Sequence, residues 1–471
     1  MKQTIKMLLC AALSAALLLT VSCGNKPGLP SDTKETETET ATEPAKTEPE
    51  TEDPTDYDAL GRVPFANLTP SPEDAFTVSP NATGVTVERY TGAAETVRIP
   101  DRIGEKPVTA LADGAFRDCK TVHVLWIPDS VVTFGKEILV GTDTLYALRT
   151  PLPTGEGQRF IGWLFGAETY ERNNMADLRR IDFLEIGGNP TSIPAYAFFD
   201  CNDLVTVRLP ESVTELGAFA FARCASLKVL DVSRIKRLGE GALLGCTSVR
   251  ELTFGAGLES VGREALGNCN ALRRLTLPFV GESRTEHRFL GWLFGAETAE
   301  LSAGLYPSGL RELTLTEGVG TLAPAALYAA PVVTLTVGAG LTEIGARAFA
   351  DCTRLRELTL PAGLTKIGDN AFSGCTALTR ITLPEGVTAL GVNAFLQCTA
   401  LNTVILPGSL TALQGGTFMG CRRLAEVKLG GVRTVGINAF RGCGALVSVV
   451  AQGEVTFAAG NEAAAARLSG S

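Results

Sequence analysis

Histidine is nearly absent from this chain of 471 residues, in which only His123 and His287 occur. Neither has a serine, cysteine or aspartate nearby in an arrangement that would activate a nucleophile. The sequence also lacks a Walker loop, a dinucleotide-binding glycine fingerprint and an HExxH motif. We therefore expect no enzymatic activity, no catalytic residues, no cofactor and no metal site.

The chain has no excess of positive charge either, since it contains 42 Lys and Arg and 51 Asp and Glu, which give a net charge of −9. A general phosphate-binding surface needs the opposite balance, so we expect no nucleic-acid partner. The 50 glycines follow no three-residue period, which excludes collagen. A chain of 471 residues is too long for one ordinary core, and several domains or a repeat array are expected.

An apolar run from Met7 to Val21 follows Lys2 and Lys6 at the start of the chain. It is short for a membrane span, and its positive start and small-residue end are typical of a secretory signal, which we place at residues 1–22. Its end, LTVSC, resembles the lipobox of bacterial lipoproteins. The resemblance implies lipid attachment at Cys23 and a membrane anchor. The alternative is an ordinary cleaved signal followed by a chance cysteine.

Residues 23–57 have the composition of a tether. After Cys23 the stretch is rich in Thr, Glu and Pro, with ten acidic residues and three lysines. Such a segment buries too little apolar surface to offset its chain entropy, so we expect it to be disordered. Fully extended, it would reach about 100 Å.

A unit of 22 or 23 residues recurs along most of the remaining chain. From Cys352 onward it follows the pattern C-x-x-L-x-x-L-x-L-P-x-x-L-x-x-I-G-x-x-A-F-x-x. The L-x-x-L-x-L segment predicts a short strand with inward leucines, Pro361 ends its pairing, and Gly368 allows a tight turn. One unit cannot bury its apolar face alone, so the period predicts a solenoid with about 14–15 stacked strands.

The repeat resembles the BspA-type leucine-rich repeats of bacterial surface proteins, over about residues 84–451. The repeat period and this resemblance together predict an α/β repeat solenoid, a curved leucine-rich repeat array with one parallel β-sheet on one face. We place a β cap region at 58–94, the solenoid at 95–451 and a C-terminal tail at 452–471. Known members of the family act as adhesins or bind host proteins, so the resemblance implies binding.

The ten cysteines after Cys23 all occupy the same repeat position, at Cys119, Cys201, Cys224, Cys246, Cys269, Cys352, Cys375, Cys398, Cys421 and Cys443. Equivalent residues in neighbouring coils point the same way, whereas a disulfide needs converging Cβ atoms. A small, weakly polar side chain suits a buried corner. We therefore expect free, buried thiols, with disulfides or metal ladders as the alternatives.

Two insertions, near residues 151–177 and 278–309, contain the same octapeptide, GWLFGAET. One hypothesis makes Trp163, Phe165, Trp292 and Phe294 a pair of aromatic platforms for a ligand. The other interpretation, which the density of apolar residues favours, is that these rings pack on the edge of the solenoid.

The outward positions of the strands carry a column of threonines beside columns of arginine and glutamate. We predict a protein-binding site among these charged residues because arginine is favoured at protein interfaces; they are Arg250, Glu251, Arg273, Arg274, Arg311, Glu312, Arg356, Glu357 and Arg380. Arg273 and Arg274 form the one spot that the pattern leaves without balancing acids. A solvated face whose charges neutralise each other is the alternative.

Two functional classes remain open. The first is a cell-envelope-anchored binding protein, an adhesin-like module that recognises a protein or glycan, exported and held at the membrane or surface by its lipid. The second is a structural or scaffolding lipoprotein inside the envelope, with no external ligand. In both cases we expect a monomer.

Overall fold

The structure is a computed structural model that describes residues 65–470 except 66, 156, 158, 176–180, 287, 288, 318 and 319. The predicted signal peptide, Cys23, the tether and the first residues of the predicted cap lie outside the described residues, as does His287. Within the described part, no helix is both long and apolar enough to cross a membrane.

Each repeat forms one coil of a solenoid, and its L-x-x-L-x-L segment contributes one short strand to a main column. The leucines point inward and are buried, while the alternating side chains point outward. Neighbouring strands pair in parallel without register shifts, in successive sheets of six, five and five strands. The predicted parallel repeat solenoid is confirmed. The main column comprises β3 (Thr96–Arg98), β6 (Val124–Trp126), β8 (Ala147–Thr150), β9 (Phe183–Ile186), β11 (Thr206–Arg208), β13 (Val229–Leu230), β15 (Glu251–Thr253), β17 (Arg274–Leu277), β18 (Glu312–Leu315), β20 (Thr334–Val337), β22 (Glu357–Thr359), β24 (Arg380–Thr382), β26 (Thr403–Ile405), β28 (Glu426–Lys428), β30 (Ser448–Ala451) and β32 (Leu468–Gly470).

A second column of two-residue strands, which the sequence did not predict, stacks beside the first. Each of these strands lies just after the turn that follows a main strand, and its second residue is an inward aliphatic or aromatic side chain. Two residues are too few for a two-residue period to stand out in a sequence. The column comprises β7 (Thr133–Phe134), β10 (Ser192–Ile193), β12 (Glu215–Leu216), β14 (Arg237–Leu238), β16 (Ser260–Val261), β19 (Thr321–Leu322), β21 (Glu343–Ile344), β23 (Lys366–Ile367), β25 (Ala389–Leu390), β27 (Ala412–Leu413), β29 (Thr434–Val435) and β31 (Thr456–Phe457).

A small sheet covers the N-terminal end of the solenoid. Its strands β1 (Phe76–Pro80) and β2 (Val85–Tyr90) form an antiparallel pair. Strand β2 then pairs in parallel with β5 (Lys106–Leu111), which also pairs with β4 (Arg102–Ile103) and with β7. This sheet closes the core because Tyr90 stacks on Phe116, the first phenylalanine of the solenoid, at 5.3 Å between ring centroids.

The third side of each coil returns through tight turns rather than regular helices. Turn-like bonds within the coil alternate with bonds to the next coil: Ala348 N–H donates to Gly345 O at 3.3 Å, and Phe349 N–H donates to Ala371 O at 2.8 Å. Among the described residues, a regular α-helix occurs only at α1 (Glu462–Ala465), and the 3-10 helices are Glu73–Ala75, Ile161–Phe165, Tyr170–Met175, Leu290–Phe294 and Ala299–Gly304.

This alternation forces left-handed backbone at two positions in each coil. In one coil they are Arg347 and Asp351, with φ of 56° and 60°. In the next they are Asn370 and Gly374, with φ of 54° and 76°. Residues other than glycine are strained there. Gly368 has a different role from the predicted tight turn, since a Cβ on it would lie 2.7 Å from the Ala346 backbone nitrogen of the preceding coil.

Phenylalanine and cysteine form two continuous ladders inside the third side. The rings from Phe349 to Phe440 stack coil on coil, with centroids 4.9–5.6 Å apart. All ten cysteines are free, nine are buried and Cys119 is half-buried. Free, buried thiols were predicted, and most of them also form hydrogen bonds between coils. Eight of them donate to a carbonyl of the preceding coil, at 3.0–3.2 Å from sulfur to oxygen.

The Phe349 carbonyl illustrates the arrangement. It accepts the Cys352 N–H of its own coil at 3.2 Å and the Cys375 thiol of the next coil at 3.2 Å. Both lone pairs of a buried carbonyl are thereby used, which an alanine at the cysteine position would not achieve. The recurring cysteine therefore has a structural explanation.

The left-handed positions predict opposite effects of the same substitution at two alanines. Ala329 has φ of 53°, whereas the exposed Ala339 is not among the positive-φ residues. We expect Ala329→Gly to raise the free energy of unfolding by up to about 1 kcal/mol because it removes backbone strain. Ala339→Gly should lower it by about 0.4–1 kcal/mol because it only frees the unfolded chain. Denaturant unfolding of both variants measures this, and a loss of stability in both would contradict it.

The buried thiols predict a loss of stability in alkali. Burial raises the pKa of Cys269, Cys352 and Cys443 to about 12, above the ordinary value of 9.0. Because the folded pKa exceeds the unfolded one, the unfolded chain releases thiol protons first as the pH rises. This stabilisation is complete below about pH 9 and disappears between about pH 9 and 12. Cys352→Ala should reduce the slope of unfolding free energy against pH by up to about 1.4 kcal/mol per unit.

Cys119→Ala is the matched control because its thiol is only half-buried, and it should change the slope less. Equal slopes in wild type and Cys352→Ala would mean that other groups cause the alkaline loss. A thiol reagent gives an independent reading, with nearly ten groups reacting after denaturation and few before.

Candidate protein-binding face

The nine charged residues predicted for binding lie together on one surface, and all nine are exposed. They belong to the outward positions of β15, β17, β18, β22 and β24 or immediately precede these strands. We call this surface, from Arg250 to Thr382, the outward strand face. Its backbone is fixed by the in-register parallel pairing from β15 to β22.

A row of threonines runs along this face at one register. Thr253, Thr276 and Thr314 pair across successive strands, and Thr336 and Thr359 continue the row. Thr382 takes the same place in β24. Threonine is a good strand residue, and its short side chain leaves the row flat at a strand spacing of about 4.8 Å.

A row of like charges lies beside the threonines. Arg273 N–H donates to Arg250 O at 2.8 Å, and Arg311 N–H donates to Arg273 O at 2.9 Å, which puts the three arginines at one register on successive strands. Arg356 follows after an intervening Val333. Like charges at neighbouring strand positions destabilise a sheet. Among the residues that the structure describes, none of these four arginines forms an ion pair.

Arg274 is not the unbalanced charge that the sequence pattern predicted. Its guanidinium lies 2.8 Å from a carboxylate oxygen of Glu251 on the adjacent strand. The sequence pattern placed both residues at outward positions but did not show that they share one register, which pairs them across the strands. The unbalanced charge is therefore Arg273 with its two neighbours in the row.

The N-terminal half of the same column has a different outward surface, which the sequence analysis missed. Val124, Ala147 and Phe183 occupy the outward register that Glu251 and Arg274 occupy further along, and all three are buried. The signal was present in the sequence as apolar residues at outward positions of the repeat, in VLW and FLE.

The two insertions form the third side of their own coils instead of projecting. Leu139 N–H donates to Leu164 O at 2.8 Å, and Ile161 N–H donates to Ala197 O at 2.9 Å, which joins the first insertion to the coils on both sides. Phe165 and Phe294 are buried in the core, as the packing interpretation holds. Trp163 and Trp292 are half-buried and pack against the same core, so an aromatic platform is a hypothesis for their exposed edges alone.

A small polar cavity of about 260 Å³ lies where the first insertion meets the coil at Asp200. The Asp200 carboxylate accepts hydrogen bonds from Asn174 at 2.6 Å and Asn202 at 3.2 Å, and Arg223 lies 3.5 Å away. These polar groups satisfy one another. Over the described ranges, no group of three or more His, Cys, Asp or Glu could hold a metal ion.

A family model matches the chain. A model described as "BspA type Leucine rich repeat region" matches residues 172–289 and 308–461 in six copies, more than half of the chain. No curated protein matches the chain.

Several crystal structures resemble the chain at low identity. A leucine-rich repeat protein from Bacteroides ovatus is 18% identical, with 82% of this chain and 98% of that chain covered and a TM-score of 0.33. A leucine rich cell surface protein from Faecalibacterium prausnitzii is 18% identical, with coverage of 77% and 94% and a TM-score of 0.27. The pneumococcal vaccine antigen PcpA is 17% identical, with coverage of 84% and 95% and a TM-score of 0.29. Similarity of this extent carries no information on what this chain binds.

The arginine row predicts that its central residue can be replaced without loss of stability. In Arg273→Glu, a carboxylate would lie between Arg250 and Arg311 at one register, so that two repulsive contacts become two attractive ones. We expect a gain of a few tenths of a kcal/mol in unfolding free energy at low salt, which disappears at high salt. Arg273→Gln is the control and should gain less. A loss of stability at low salt in Arg273→Glu would refute the repulsive row.

Proposed function

The chain belongs to the BspA type leucine-rich repeat family, and from this premise we propose that it is a protein-recognition module of the cell surface that binds its partner through the outward strand face. The proposed role is binding without catalysis. The binding surface is the exposed charged and threonine rows between Arg250 and Thr382.

The unpaired arginine row is the observation that carries the proposal. On the second column, by contrast, Arg237 pairs across coils with Glu215 at 2.8 Å and with Glu259 at 3.3 Å. Within the part of the chain that the structure describes, the row of Arg250, Arg273 and Arg311 forms no such pair, and like charges at neighbouring strand positions repel each other. A partner that supplies the missing carboxylates would remove this repulsion, and arginine is enriched where proteins bind one another.

The charge of the face indicates the kind of partner. Six arginines and three glutamates among its predicted residues make it basic, although the whole chain has a net charge of −9. Such a local excess attracts a surface of the opposite sign and accelerates association. We therefore propose a protein partner with an acidic, flat surface that lies along several strands.

Anchoring in the envelope by a lipid on Cys23, and an adhesin-like role, belong to the same proposal. Their support is the apolar run before Cys23 and the Thr, Glu and Pro composition of residues 24–57. A reach of about 100 Å would carry the solenoid away from the membrane. If a thick wall lies outside the membrane, the same reach is too short to clear it, which favours the second candidate, a structural protein inside the envelope.

Digestion of intact cells with a non-permeating protease separates the two candidates. Surface exposure predicts release of repeat fragments from intact cells, whereas an internal protein is digested only after lysis. Full protection of the solenoid in intact cells would contradict the cell-surface proposal.

Binding is tested with the chain from residue 57 onward, immobilised and exposed to proteins extracted from cell surfaces. We expect Arg273→Glu to reduce retention of a captured partner at least tenfold because it removes the centre of the row. Arg441→Glu, an exposed arginine on the third side, is the matched control for charge. Equal retention by wild type and Arg273→Glu would remove the row from the site.

A further inference from the structure

A second apolar cluster lies outside the solenoid core, on the N-terminal half of the main strand column. It consists of Val124, Ala147 and Phe183 on β6, β8 and β9 together with Phe65 from the segment before the cap. Leu68 and Trp126 pack against it. Phe65 is 4% exposed, although it belongs to no strand. We call the space between Trp126 and Phe183 that the Phe65 ring fills the aromatic cleft.

The walls of the cleft are held rigidly by stacked charges. Arg98 and Arg149 flank Trp126 at one register on the two neighbouring strands, and each guanidinium lies 4.4 Å from the indole centroid. Arg149 is itself fixed by Asp129 at 2.8 Å and Glu185 at 3.0 Å. Arg149 therefore holds one face of Trp126 independently of the segment that enters the cleft.

The ring of Phe65 enters this cleft edge-on. Its centroid lies 6.1 Å from that of Trp126 and 5.7 Å from that of Phe183, with interplanar angles of 85° and 62°. Edge-to-face geometry at these distances is favourable for aromatic pairs. Phe65 therefore occupies the cleft as a ligand side chain would.

The segment after Phe65 is attached through one residue of the edge strand β3. Arg98 donates from its guanidinium to Leu68 O at 2.8 Å. Ser71 N–H donates to Arg98 O at 2.9 Å, and Arg98 N–H donates to the Ser71 hydroxyl at 3.2 Å. Among the described residues, the side chains of Phe65 and Leu68 and these three hydrogen bonds hold the segment.

The fold does not need an aromatic cleft at this place. The cluster is separate from the continuous core, and the strands from β15 onward pair equally well with threonine, glutamate and arginine at the same outward registers. Tryptophan, phenylalanine and arginine around a dry centre are the composition of a binding hot spot. Because the cleft already accommodates a phenylalanine and a leucine three residues apart, its ligand should present the same pair.

We propose that the aromatic cleft is a peptide-binding site that Phe65 occupies in cis, and that its ligand is a segment of a partner protein with a phenylalanine and, three residues later, a leucine. The partner segment replaces Phe65 and Leu68 when it binds. A second copy of this chain is a poor source, since its own segment is already seated and exchange would create no new contact. The site is independent of the arginine row proposed above.

The test uses the labelled peptide FANLTPS, the sequence of residues 65–71, as the probe. In wild type it competes with a resident segment at an effective concentration on the order of millimolar. In Phe65→Ala the cleft is open, so we expect binding at least tenfold tighter than to wild type, measured by fluorescence anisotropy. A peptide with alanine in place of phenylalanine should not bind either chain.

Two further variants make the result specific to the cleft. Trp126→Ala added to Phe65→Ala should abolish binding, whereas Arg441→Glu added to Phe65→Ala should leave it unchanged because Arg441 is exposed and lies outside both proposed sites. Should Phe65→Ala fold poorly by circular dichroism, Leu68→Ala weakens the resident segment and should bind the peptide more tightly than wild type.

Three results would overturn the proposal. Equal affinity of the peptide for wild type and the opened variants, or no binding to them at millimolar peptide, would show that Phe65 is a fixed part of the fold. A mixed dimer of wild type and Phe65→Ala in sedimentation would show that a second copy supplies the ligand.

Discussion

Hydrogen bonding between successive coils is the constraint on which the rest of the structure depends. Two strand columns, the alternating turns of the third side and the cysteine thiols all bond to a neighbouring coil. Buried carbonyls of one coil accept hydrogen bonds from the next, as the Phe349 carbonyl accepts the thiol of Cys375. Left-handed backbone at residues such as Arg347 is tolerated because it directs N–H groups along the stack.

Features with a period were predictable from the sequence, and features set by a single contact were not. The spacing of leucines and cysteines predicted the main column, the inward core and the free thiols, since each depends on what every coil repeats. The pair of Arg274 with Glu251 depends on strand register, and the seating of Phe65 depends on two distant segments meeting. The second column was not predicted because its strands have only two residues each.

The outward surface of the main column is divided into two regions of different chemistry. From Arg250 to Thr382 it is flat, exposed and basic, which suits a broad and salt-sensitive contact. Around Trp126 it is apolar, enclosed and already occupied, which suits a short segment with a few deep anchors. A solenoid can carry both because each coil fixes its inward residues and leaves its outward ones free to differ.

The buried thiol ladder also has a consequence for how the chain reaches its folded state. Until the coils close, ten thiols are open to any oxidant around them, and neighbouring ones are only 22 or 23 residues apart within residues 201–269 and 352–443. The hydrogen bonds of eight of these thiols are equally local, since the acceptor lies 25 or 26 residues earlier. Low contact order favours rapid closure of one coil on the next. In an oxidising compartment, that closure competes with the formation of non-native disulfides. The short repeat shortens the time during which the thiols can be oxidised.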